Sequence, residues 1–168
     1  MTEIFPLLPL LGRMKMFEDN YLKLTLDPDD DGTGELTAEF HANGFAGVGS
    51  AYFNLDEIAK FAESLQAYPL PKDQVLSIEG GYWSRRKIFS KPKLSEVNLS
   101  IKIYVVSETG ILGVRVKIQT PSMEGTVSMA SGSFETGYNN LESFSKQILK
   151  LLRNETDFAL LRCIRPNH

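Results

Sequence analysis

Asp27, Asp29, Asp31 and Gly32 follow the opening rhythm of a calcium loop, in which alternate acidic oxygens face the ion and a glycine makes the turn. The rhythm fails at the twelfth position, which needs a bidentate glutamate and holds Ala38. Runs of strand periodicity flank the loop where helices are required, so it reads as a solvated hairpin turn. Gly44-Phe45-Ala46-Gly47-Val48-Gly49-Ser50 has the glycine content of a phosphate-binding loop. Such loops need a strand before them and a helix N-terminus directly after, so that amides and dipole converge on the phosphate. These glycines sit inside an apparent strand, and no Gly-Lys-Ser or Gly-Lys-Thr follows. A bulge, or a strand that another segment crosses closely, is the better explanation.

Nucleophilic and metal chemistry have little to work with. Histidine occurs only at His41 and His168, and cysteine only at Cys163, with no histidine near it in sequence. A closed four-ligand zinc site cannot be filled from two histidines and one cysteine. His41 falls on the polar side of its strand, where a surface role suffices. These residues name no catalytic, cofactor-binding or metal-ligating group, and the expectation is a protein that is not an enzyme and needs no cofactor.

Two stretches suit binding instead. Asp29, Asp30 and Asp31 gather charge at one turn. Glu79-Gly80-Gly81-Tyr82-Trp83-Ser84-Arg85-Arg86-Lys87-Ile88-Phe89 ends a strand on aromatics and enters a basic loop that continues to Lys91 and Lys93. Trp, Tyr and Arg anchor protein interfaces because each joins large apolar area to polar handles. The ordinary place for a chain's only tryptophan is the core, with the bases solvating a loop. The partner-binding candidates are therefore Asp29, Asp30, Asp31, Trp83, Arg85 and Arg86.

The elements that position these residues are mostly strands. Leu22, Leu24 and Leu26 alternate, as do Leu36, Ala38, Phe40 and Ala42, on either side of turn chemistry from Asp27 to Gly34. Phe45 to Phe53 forms a third run after Asn43-Gly44. Leu99, Ile101, Ile103 and Val105 pair by pattern with Leu112, Val114, Val116 and Ile118 across Ser107-Glu108-Thr109-Gly110. Leu76 to Trp83 and a serine-rich Thr126 to Phe134 are further candidates. Helical spacing marks Leu55, Ile58, Ala59, Ala62 and Leu65, which Pro69 must stop, and Leu141, Phe144, Ile148, Leu151 and Leu152. Asn54 with Glu57, and Asn139 with Glu142, carry the spacing of N-terminal caps. About seven strands and two helices in the order strands, helix, strands, helix predict an α+β fold. It is mainly antiparallel sheet, sandwich or half-barrel-like, with two amphipathic helices packed on it. Residues 14–168 are expected to form a single domain, with residues 1–13 an N-terminal extension. No repeat of 20–50 residues is visible.

Composition agrees with that outline. The chain has 168 residues, of which 42% are hydrophobic and 23% charged, within globular usage and far from disorder. A net charge of -3 argues against a binder that grips nucleic-acid phosphates broadly. Residues 1–80 hold 14 acids against 5 bases, and residues 81–168 hold 7 against 13, which returns the same -3. Antiparallel strands interleave in space, so that asymmetry need not become two poles. The apolar run Ile4 to Leu11 follows Glu3, contains Pro6 and Pro9, and is far shorter than the roughly 20 residues of a span. A single cysteine favours a reducing compartment. The expectation is a cytoplasmic protein with no membrane partner.

The order of features resembles small uncharacterised bacterial proteins. The likeness is carried by a strand hairpin, the helix start Asn54-Leu55-Asp56-Glu57, then Tyr68-Pro69-Leu70, Gly81-Tyr82-Trp83, Gly110-Ile111-Leu112-Gly113-Val114 and the helix from Tyr138 to Leu152. It covers roughly residues 16–162. More loosely the layout is similar to WapI-like immunity proteins. That resemblance implies a cytoplasmic protein that neutralises a bacterial toxin domain by direct contact, and carries over no individual residue. A self-associating structural or adaptor protein, using an exposed sheet face, is the second reading. An enzyme whose carboxylates meet only in the fold is the third.

Overall fold

The structure, a computed structural model, describes residues 20–84, 91–121 and 125–164. The expected extension at 1–13 lies outside them, as do Arg85, Arg86 and His168. The chain forms β1 (Tyr21–Pro28), β2 (Thr33–Ala42), β3 (Phe45–Asn54), α1 (Leu55–Ser64), β4 (Leu76–Ser84), β5 (Lys93–Ser107), β6 (Ile111–Gln119), β7 (Met129–Gly137), α2 (Tyr138–Leu152) and β8 (Ala159–Arg162). Two antiparallel sheets of four strands result, ordered β3-β2-β1-β8 and β4-β5-β6-β7. The α+β class is as expected. There is one strand more than the sequence suggested, because β8 is four residues long and too short to show a period.

Local differences have local causes. The serine-rich strand runs from Met129 to Gly137, three residues later than expected, since only Phe134 and Thr136 within it are buried. α2 starts at Tyr138 after an extended Gly137, which puts Asn139 inside the first turn. Neither helix has a side-chain cap. At α1 the Leu55 N–H donates instead to the Gly32 carbonyl oxygen at 3.0 Å. Glu142 turns outward to Lys146 at 3.1 Å, one helical turn on.

The pairing register exposes an internal repeat with a period longer than 50 residues. Ala159, Leu24, Ala38 and Gly49 form a row across the first sheet, and Ile78, Ile101, Val116 and Gly132 form the matching row across the second. Each half of the chain is thus a three-stranded meander, a helix and one more strand. The last strand of each half is exchanged: β4 pairs with β5, and β8 pairs with β1. The helices meet at corresponding positions, where the buried Ser145 hydroxyl donates to the Ala62 carbonyl oxygen. That bond satisfies a polar group with no exposure to solvent.

One core lies between the sheets and under the helices. Leu22, Leu24, Ile101, Ile103, Val114 and Val116 are wholly buried within it, joined by Phe144 and Ile148 from α2. The inward face of β3 crosses the second sheet, meeting β7 at Gly47, β6 at Gly49, and β4 where Gly80 lies against Ala51 and Phe53. A Cβ on Gly49 would sit 2.1 Å from Ile118 Cγ2, and one on Gly132 would sit 2.9 Å from Phe40 Cε2. These two glycines occupy equivalent places in the repeat. The glycine-rich run is therefore a strand closely crossed by another segment, the role expected of it.

Gly49→Ala should lower stability by about 1–3 kcal/mol, as overpacking does. A thermal melt would read this as a drop of several degrees. Combined with Ile118→Ala, the loss should be smaller than the sum of the two single changes. Strict additivity would show that the clash relaxes elsewhere.

Candidate functional site

The hairpin turn between β1 and β2 is held from three sides. Asp29 N–H donates to the Thr33 carbonyl at 2.9 Å, Asp31 Oδ1 accepts the Thr33 hydroxyl at 2.6 Å and the Thr33 N–H at 3.0 Å, and Gly32 O receives Leu55 from α1. The Thr33 hydroxyl, then its N–H, hold the Asp31 carboxyl below the usual carboxylate range. The stability that follows is present above the ordinary carboxyl range and is lost as pH falls through the lowered value. Asp29, Asp30 and Asp31 are all exposed. The turn is thus a fixed platform that presents charge.

Tyr52 enlarges that surface, and the sequence did not single it out. It stands opposite Glu35 in the ladder between β2 and β3, with 58% of its surface exposed. Glu35, then Asp29, with burial and Asp27 behind them, push its hydroxyl above the ordinary tyrosine value, because each disfavours a second negative charge. Glu35 also accepts the Ser50 hydroxyl at 2.6 Å. Asp56 and Glu57 in the exposed first turn of α1 lie beyond the turn's bond to Leu55. No ion pair among the described residues involves Asp27, Asp29, Asp30, Asp31 or Glu35. Its only pattern signal was Tyr52 as a large residue on the wet face of a strand.

Trp83 corrects an expectation. The only tryptophan is 51% exposed, beside Tyr82 at 68%, and it does not pack in the core. The pairing of β4 with β5 shifts between Gly80 and Gly81 and again between Tyr82 and Trp83, which takes this strand end off the core register. Trp83 ends a strand of the second sheet, whereas Asp29, Asp30 and Asp31 join two strands of the first. The candidates thus belong to different sheets, and Arg85 and Arg86 lie outside the described residues.

Nothing among the described residues assembles into an evident catalytic group. His41 stacks on Tyr21 with ring centroids 6.4 Å apart, and its Nδ1 has no hydrogen-bond partner among the described residues. Cys163 lies elsewhere, against a shallow depression of about 580 Å³ shared with Gly137, Tyr138 and Arg162. A neighbouring depression of about 440 Å³ is lined by Tyr68, Leu70, Val105 and Tyr138, and its lone carboxylate, Glu108, pairs with Lys72 at 3.1 Å. There the Tyr138 hydroxyl accepts the Leu70 N–H at 3.0 Å, and Tyr68 stands edge-on to the same ring. No group of three or more His, Cys, Asp or Glu among the described residues is placed to hold a metal ion. No described helix is long and apolar enough to cross a membrane.

The charge asymmetry of the sequence becomes spatial. Asp27, Glu35 and Glu39 with the three aspartates of the turn face Lys23 and Arg162 on the first sheet, while the second sheet sets Lys93, Lys102, Arg115 and Lys117 against Glu79, Glu96 and Glu135. Each sheet takes three of its four strands from one half of the chain, so the exchange of β4 and β8 mixes the halves only at one edge of each sheet. No protein-family profile, curated protein or solved structure matches the chain. The fold and this surface chemistry define an α+β protein with an acidic, aromatic-centred end.

Glu35→Gln should bring the Tyr52 hydroxyl down toward an ordinary tyrosine. Alkaline absorbance titration against a Tyr52→Phe control would follow that one group. A tyrosine that titrates identically in both backgrounds would place the two side chains too far apart to interact.

Proposed function

We propose that the chain is an immunity-type binding protein of the bacterial cytoplasm, which neutralises a toxin domain by covering it and does no chemistry itself. The observation that supports this reading is the exposed Tyr52 ring among Asp27, Asp29 and Glu35, none of them neutralised by an ion pair among the described residues. An exposed aromatic supplies buried area at low entropic cost, and surrounding charge of one sign selects a basic partner and speeds its approach. A nuclease domain with a cationic substrate cleft has the complementary chemistry, with Asp29, Asp30 and Asp31 standing in for phosphates. The bonded turn adds to this, since the Asp31 carboxylate is already held by Thr33 and loses little freedom on binding. Exposed Trp83 favours a second surface, suited to a partner without a cationic cleft.

The test uses whatever protein co-purifies with this chain from its own cells, taken as the candidate toxin domain. Changing Asp29, Asp30 and Asp31 together to Ser should slow association and flatten its dependence on salt, with the melting curve still cooperative. Tyr52→Ala should chiefly speed dissociation. If both variants and Trp83→Ala bind like the parent, both surfaces are excluded. Turnover of a small substrate with no protein partner recovered would overturn the binding role.

A further inference from the structure

Among the described residues four strands border the two sheets, and three of them carry a feature that discourages pairing with another chain. β8 has four residues and ends on the exposed Arg162. β4 carries Glu79 and two register shifts. β7 carries the exposed Glu135. Natural sheets protect their edges by such means: short strands, charges and bulges. β3 has none of them. Its ten residues, Phe45–Asn54, include no charge and no proline, and it pairs with β2 without a register shift.

The orientation of β3 follows from its turn. Asn43 and Gly44 both have positive φ, 53° and 89°, which is the two-residue hairpin geometry that closes on Ala42 and Phe45. Alternation along the ladder from that closing pair directs the N–H and C=O groups of Ala46, Val48, Ser50 and Tyr52 to the open side. Val48 is 65% exposed and Tyr52 58% on the same face.

We propose that β3 pairs antiparallel with β3 of a second copy of this chain, making a dimer with one continuous eight-stranded sheet. A two-fold axis at Ser50 sets Ser50 against its counterpart and Val48 against Tyr52 of the second copy, twice over. Such a β-branched and aromatic pair is a favourable cross-strand contact. The same axis places the carboxylates around Asp29 and Glu35 of the two copies toward opposite ends of the paired strands, where like charges stay apart. The contact is isologous and closes on itself, since the new outer edges are both β8 with Arg162. The dimer does not require the toxin reading, but it takes Tyr52 into the paired strands, so the two contacts share that residue while the aspartates of the turn stay outside the interface.

Sedimentation of the full chain over a concentration series should show the mass rising from 18.8 kDa toward twice that value. Val48→Lys, which puts a charge on the open edge, should raise the dimer dissociation constant by roughly tenfold or more. In a Cys163→Ser background, Ser50→Cys should give a crosslinked dimer under mild oxidation, because residues paired across the axis lie about 5.5 Å apart at Cα. Phe158→Cys, exposed and away from β3, should not crosslink under the same conditions. A mass of 18.8 kDa at all concentrations up to millimolar would overturn the proposal. So would a dimer that Val48→Lys leaves intact and Ser50→Cys does not crosslink, or assembly that continues beyond two copies.

Discussion

The packing of this fold depends on close crossings of one sheet by strands of the other at glycines, two of which are equivalent in the repeat. Gly49 of β3 lies against Ile118, and Gly132 of β7 lies against Phe40, where a single added carbon would overlap its neighbour. With glycine at those points the sheets approach closely enough for Leu24, Ile101 and Val116 to lose all contact with water. A side chain there would hold the layers apart and open voids in a core that tolerates few. The helices then close the remaining side, held together by the Ser145 hydroxyl on the Ala62 carbonyl.

That arrangement also decides where charge appears. Because the two halves of the chain build largely separate sheets, an imbalance spread along the sequence becomes a difference between two surfaces. The β1–β2 turn concentrates it further. Its Asp31 carboxylate is held by Thr33 and its backbone by the helix start behind it, and Tyr52 gives that end an apolar centre. The opposite sheet handles its charges differently, with Lys102 paired to Glu79 at 3.2 Å and Arg115 lying over the Tyr104 ring.

Much of the fold was legible from period alone. The alternation of Leu99 to Val105 and Leu112 to Ile118 marked a hairpin, and Gly47 and Gly49 marked a crossing, since local pattern reports which face is buried. The exchanged strands were not legible. β8 finds its partner 135 or more residues earlier in the chain, and nothing in Ala159 to Arg162 names β1. For the candidate site, the aspartates were visible as a charge run, but Tyr52 acquires its meaning only when the ladder sets it beside Glu35. Whether Trp83 packs in the core or stands exposed was open for the same kind of reason, since the register shifts inside β4 lie beside it and no residue type announces them.

The exchange of end strands has a consequence for synthesis. The first three strands leave the ribosome early, yet the outer side of β1 waits for residues 159–162 to be made. At about 5–20 residues per second, that interval is on the order of ten seconds. Throughout it the first half of the protein has an open border at β1, and its own final strand, β4, is committed to β5 of the other half. Neither half can complete a sheet by itself during translation. The nascent chain therefore reaches its closed form only once residues 159–162 have been made, and crowded ribosomes on one message would bring such open borders close together.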